Sequence, residues 1–179
     1  MTSVDRMTAA SHEVTGPIIA GVDNSRAARH ALEWAASEAE ARGTRVIAIR
    51  VFEHPLVALA GPYPRVDPLL THELAEEART ALRGFVDEVS KGYPTVQIEA
   101  KVFQGPAADV LVGASEGAYA LAVGSRGHSA VASLLLGSVS QRCVARAHCP
   151  VVVVGPHAQI ETHEAQTARH TADVNWSPP

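Results

Sequence analysis

Four short apolar runs and one alternating segment recur along this chain, and stretches of helical periodicity lie between them. Pro17–Asp23 (PIIAGVD) is rich in Ile and Val without a polar alternation, the pattern of a strand buried on both faces. Ser25 follows as a candidate N-cap. Ala28, Leu32, Ala35 and Ala39 then recur at helical spacing until Gly43. Arg45–Val51 (RVIAIRV) predicts a second buried strand. Residues 52–66 carry prolines and a glycine and read as a long loop.

Asp67 with Pro68 predicts a capped helix start, proline being favoured at the first helical position. Leu70, Leu74, Ala78, Ala81, Phe85 and Val89 mark its apolar face to about Lys91. Thr95–Phe103 alternates apolar and polar residues, which suits a strand exposed on one side at a sheet edge. A short helix starts near Pro106, Ala118–Gly124 is another buried strand, Ser138–His148 reads as a helix, and Val151–Val154 is the last strand. Strands alternating with helices imply right-handed crossovers and an open, parallel α/β sheet. Residues 1–15 read as a flexible lead, residues 16–155 as one folded domain, and residues 156–179 as a polar tail with a short helix near Ile160–His170. Trp176 is an unusual residue to find in such a tail.

Composition narrows the picture. A length of 179 residues suits one domain, and 46% hydrophobic with only 4% aromatic residues means a core of Ala, Val, Leu and Ile. A net charge of −4 without a basic stripe argues against nucleic-acid binding. No apolar run approaches the roughly 20 residues of a membrane span. The amino-terminal stretch lacks the apolar core of a secretory signal, so the expected compartment is the cytoplasm. Cys143 and Cys149 make no disulfide framework and are expected to be reduced.

The chemistry concentrates in GSRGHSAVASLLLGS, Gly124–Ser138, which leaves a buried strand and runs into a helix start. The first amides of a helix have no internal partners and sit at the positive end of its dipole. Glycines let main-chain N–H groups close on phosphate oxygens. The hydroxyls of Ser138 and Ser140 could add donors, and Arg126 could add charge. Plainer roles stand beside these: Gly124 and Gly127 as a turn, Ser138 as an N-cap, Arg126 and His128 as solvated surface groups, Asp23 as a turn residue and Val51 as core. Neither the G-x-x-x-x-G-K-[ST] pattern nor G-x-G-x-x-G occurs, so no lysine is placed to reach terminal phosphates.

The spacing Gly124, Gly127, then nine residues, Gly137 and Ser138 resembles the nucleotide-binding signature of universal stress proteins. The resemblance runs on through GSVSQRCVARAHCPVVVV and back to IIAGVDNS, about residues 16–155. Electron-transfer flavoprotein subunits share the strand order, but the full spacing favours the stress-protein family. The resemblance implies a Rossmann-like, adenine nucleotide alpha hydrolase-like fold: five parallel strands in order 3-2-1-4-5 with helices on both faces. Ligands then bind where the order reverses, between strands 1 and 4. It implies ATP, with Mg²⁺, as ligand. Asp23 would lie beside the adenosine, and the backbone of Val51 would meet adenine. The phosphates would sit on Gly127, Gly137, Ser138 and nearby amides, with Gly124, Ser125, Arg126, Val139 and Ser140 in the same cofactor-binding set. It also implies a homodimer through Val151–Val154, an uncharged edge strand that would otherwise invite aggregation. The expected function is regulatory ATP binding with hydrolysis absent or slow. The alternatives are cyclic AMP binding, a nucleotide-free interaction module and, ranked last, an autophosphorylating phosphotransferase.

Overall fold

The computed structural model describes residues 16–53, 68–126 and 136–160. In chain order the elements are β1 (Ile18–Gly21), α1 (Arg26–Arg42), β2 (Val46–Phe52), α2 (Pro68–Ser90), β3 (Ile98–Gln104), α3 (Ala107–Ala114), β4 (Ala120–Gly124), α4 (Ser138–Arg146) and β5 (Val151–Val154). The strands form one sheet in order β3-β2-β1-β4-β5. Every pairing is parallel, with Ile19 of β1 beside Ile47 on one flank and Leu121 on the other.

The two sheet faces carry separate cores. Ile18, Ala20, Val46, Ala48 and Ala122 pack under α1 and α2 with Leu32, Leu82 and Val86. Ile19, Ile47, Ile49, Leu121 and Val123 pack on the other side with Leu111 and Cys143, from α3 and α4. Strand residues alternate between the two, which is why the inner strands are apolar apart from Arg50 near the end of β2. β3 is the edge that the alternating pattern predicts: Glu99 and Lys101 form an exposed ion pair, Nζ to Oε1 3.2 Å.

Helix ends follow local chemistry. The Ser25 hydroxyl accepts the Ala28 N–H at 3.1 Å, the N-cap expected of it. Gly43 closes α1 at φ 62, a left-handed conformation that glycine adopts without penalty. The expected Asp67 cap and nearly all of the 52–66 loop lie outside the described residues. Several elements are shorter than the apolar runs suggest. Thr95 and Val96 belong to a turn, in which the Val96 N–H reaches the Tyr93 carbonyl at 3.1 Å, so β3 starts at Ile98. Ala118 is likewise held in a turn by Ser115. Ala147 is extended, so α4 stops before it, two residues short of His148.

Packing runs past residue 155, where the sequence suggests that the folded domain ends. Ala158 and Ile160 rest against the α1–α2 core, and the Ala158 N–H donates to the Gly155 carbonyl at 3.2 Å. The proposed helix after Ile160, and Trp176, lie outside the described residues. Both cysteines are free, Cys143 fully buried and Cys149 half-buried. Burial pushes both thiols up, which keeps them protonated and slow as nucleophiles.

Candidate functional site

In a parallel sheet every crossover helix begins near the carboxyl ends of the strands, so helix amino termini gather there. Here they gather around a cleft of about 110 Å³. Ala28 from the first turn of α1, Ala107 from the start of α3 and Val139 from the start of α4 all border it. The floor is apolar, made by Ile49, Val51, Leu111 and Val123, and the rim is polar, with Asp23, Ser25, Arg126 and Ser140. The cleft sits where the sheet order reverses, between β1 and β4.

The polar rim is built by short-range bonds. The Asp23 carboxylate oxygen Oδ1 accepts the Ser25 N–H at 2.8 Å, which turns the chain out of β1 into α1. Arg50, at the end of β2, donates from Nη1 to the Asn24 Oδ1 at 2.9 Å and ties this turn to the neighbouring strand. On the β4 side, the Ser125 N–H donates to the Val154 carbonyl at 2.7 Å, and the Gly137 N–H donates to the Ser125 carbonyl at 2.8 Å. The Ser140 hydroxyl donates to the Gly124 carbonyl at 2.6 Å.

Of the residues singled out by sequence, Asp23, Val51, Gly124, Arg126, Val139 and Ser140 wall the cleft together. Ser125 and Gly137 are bonded to each other beside it. Ser138 is the first helical residue of α4 and is exposed. The N-cap is Gly137, not Ser138, and among the described residues no side chain caps the opening amides of this helix. Gly127 and His128 lie outside the described residues.

Two glycines have structural reasons that the motif does not express. A Cβ on Gly124 would meet the Ala28 nitrogen at 2.9 Å and the Ala27 carbonyl carbon at 3.0 Å, so Gly124 admits the first turn of α1. A Cβ on Gly21 would meet Leu111 Cδ1 at 2.9 Å, so Gly21 lets α3 close the floor. Ile49 and Leu111 were not singled out, although the signal exists. Ile49 precedes Val51 by one strand period, and Leu111 follows Ala107 by one helical turn.

A wider hollow of about 600 Å³ lies at the opposite, amino ends of the strands, bordered by Pro17, Gly43, Thr44 and Thr95. There α1 presents its carboxyl end, with Gly43 as its cap, so the helix dipole disfavours anions. The smaller cleft is the one whose field suits a phosphate. None of the described residues walling it is a lysine.

Comparison with known proteins agrees with this architecture. The sequence profile of the universal stress protein family matches residues 15–155. Universal stress protein Rv2624c of Mycobacterium tuberculosis (strain ATCC 25618 / H37Rv) is 33% identical over 159 residues, covering 89% of this chain and 52% of that protein. This chain spans about half the length of the curated relatives it matches. Among solved structures, universal stress protein UspA from Lactobacillus plantarum has a TM-score of 0.66 at 22% identity, covering 78% of this chain and 97% of that one. A universal stress protein in complex with cAMP has a TM-score of 0.58 at 24% identity, covering 78% and 96%. A universal stress protein family protein from Arabidopsis thaliana with AMP bound has a TM-score of 0.52 at 21% identity, covering 80% and 93%. The open five-stranded parallel sheet is the fold these structures share.

Proposed function

This chain belongs to the universal stress protein family, and on that premise we propose that it is a regulatory protein that binds ATP in the cleft between β1 and β4. The observation that carries this reading is the meeting of two distant stretches at one site. Asp23 ends one wall, and Arg126 with the uncapped start of α4 forms the other. A carboxylate suits the hydroxyls of ribose, which can donate to it. The apolar floor suits a purine ring, with the Val51 main chain at its edge. The amides opening α4 suit phosphate oxygens, and Gly127 would join them from outside the described residues. Magnesium would arrive on the phosphates, since an ion that keeps most of its waters asks for few protein ligands. Hydrolysis would be slow, because the described cleft brings no lysine to a transferring phosphoryl group.

Cyclic AMP is the second reading, favoured by its presence in one fold relative. Calorimetry with ATP, AMP, cyclic AMP and inorganic tripolyphosphate separates the two. Heat from ATP and tripolyphosphate at submillimolar concentration is expected. Silence from all four at millimolar concentration would remove the nucleotide reading and leave a nucleotide-free interaction module. Cyclic AMP binding alone would replace ATP.

The same reading includes a homodimer. Among the described residues β5 pairs with β4 alone, and its Val151–Val153 side chains remain partly accessible. An apolar edge without charge is a template for another strand. Light scattering is expected to show twice the chain mass, and a monomer at micromolar concentration would remove the seam.

A further inference from the structure

Ser140 carries a hydroxyl that the nucleotide reading alone would spend on a phosphate. Its side chain is instead buried, at 3% exposure, and its proton goes to the Gly124 carbonyl at 2.6 Å. That bond joins the last residue of β4 to the first turn of α4. A second bond, Gly137 N–H to Ser125 carbonyl at 2.8 Å, lies alongside it. The Ser125 N–H then anchors on Val154 of β5. The start of α4 is therefore held against the sheet by a ladder of main-chain bonds with one side-chain rung.

We infer that Ser140 is a positioning residue, which aims the opening amides of α4 into the cleft rather than touching the ligand itself. The inference rests on the nucleotide reading above and changes the role of one residue within it. Its physical basis is that an uncapped helix start frays unless something holds it. Gly137, the cap residue, has no side chain for the task, so a residue three positions on does so from beneath. A hydroxyl committed at this distance in a buried place is costly to divert, because the carbonyl left behind would lose its partner.

The test uses the full chain and its Ser140→Ala and Ser140→Cys variants. Cysteine keeps the side-chain size while donating weakly, so it separates a lost bond from a hole. Amide hydrogen exchange at Gly137 and Gln141 is measured without ligand, and calorimetry is run with ATP, tripolyphosphate and adenosine. Both variants are expected to speed exchange at these amides. Both should weaken ATP and tripolyphosphate by about fivefold, the size of one ordinary hydrogen bond, with adenosine unchanged. Weaker ATP binding with unchanged exchange would make Ser140 a direct phosphate ligand and overturn the inference. Faster exchange with unchanged ATP affinity would reduce it to a purely structural bond. Wild-type protein that binds none of the three ligands would instead overturn the nucleotide reading, and the positioning role with it.

Discussion

Leu32→Ala is expected to lower the free energy of unfolding by about 3–4 kcal/mol, read as a shift of the urea midpoint at constant slope. Leu32 is fully buried, and it stands on a helix whose other core-facing residues are nearly all alanine: Ala27, Ala28, Ala31, Ala35, Ala36 and Ala39. Those alanines let α1 lie close on β1 and β4, so its backbone already sits near its limit of approach. Removing the large side chain leaves a hole in the core that Leu32 shares with Ala20, Ala48, Ala122, Leu82 and Val86. The cost of such a substitution grows with the cavity that survives relaxation. A loss below about 1 kcal/mol would mean that the helix can settle onto the sheet, and the account of its spacing would fall.

Gly124→Val is expected to cost about 3 kcal/mol and to abolish measurable nucleotide binding together, with Gly124→Ala intermediate in both. The added atoms meet the backbone of Ala27 and Ala28, which has no rotamer by which to yield. α1 must therefore move off the end of β4, carrying Ser25 and the Asp23 turn with it. Stability from chemical denaturation and affinity from calorimetry report the two halves. If binding vanished while stability held, Gly124 would be acting on the ligand and not on the helix.

These two residues show where a chain can be read in one dimension. The strands were legible because a parallel sheet buries both faces, which writes uninterrupted apolar runs into sequence. The Ser25 cap and the Gly43 stop were legible because each acts within one helical turn. The edge position of β3 was legible from alternation, since a half-exposed strand keeps polar residues on one side. Boundaries were less so. Pro17, Thr95 and Ala118 continue apolar or strand-like patterns, yet turns and a missing N–H delay the start of the ladder until after them.

The candidate site divides the same way. Local sequence determined that glycines and serines would follow β4 and precede a helix, because that junction is contiguous. It also placed Asp23 just past β1, although the strand stops at Gly21 and Asp23 belongs to the turn into α1. Tertiary structure alone decided that these stretches face each other, that Leu111 and Ile49 close the floor between them, and that the Ser140 proton is spent on Gly124. It also decided that Gly124 is small for the sake of a helix nearly a hundred residues earlier in the chain. Spacing records what a residue can do within a few bonds of itself. What it meets across the sheet depends on packing distances that the order of residues does not carry.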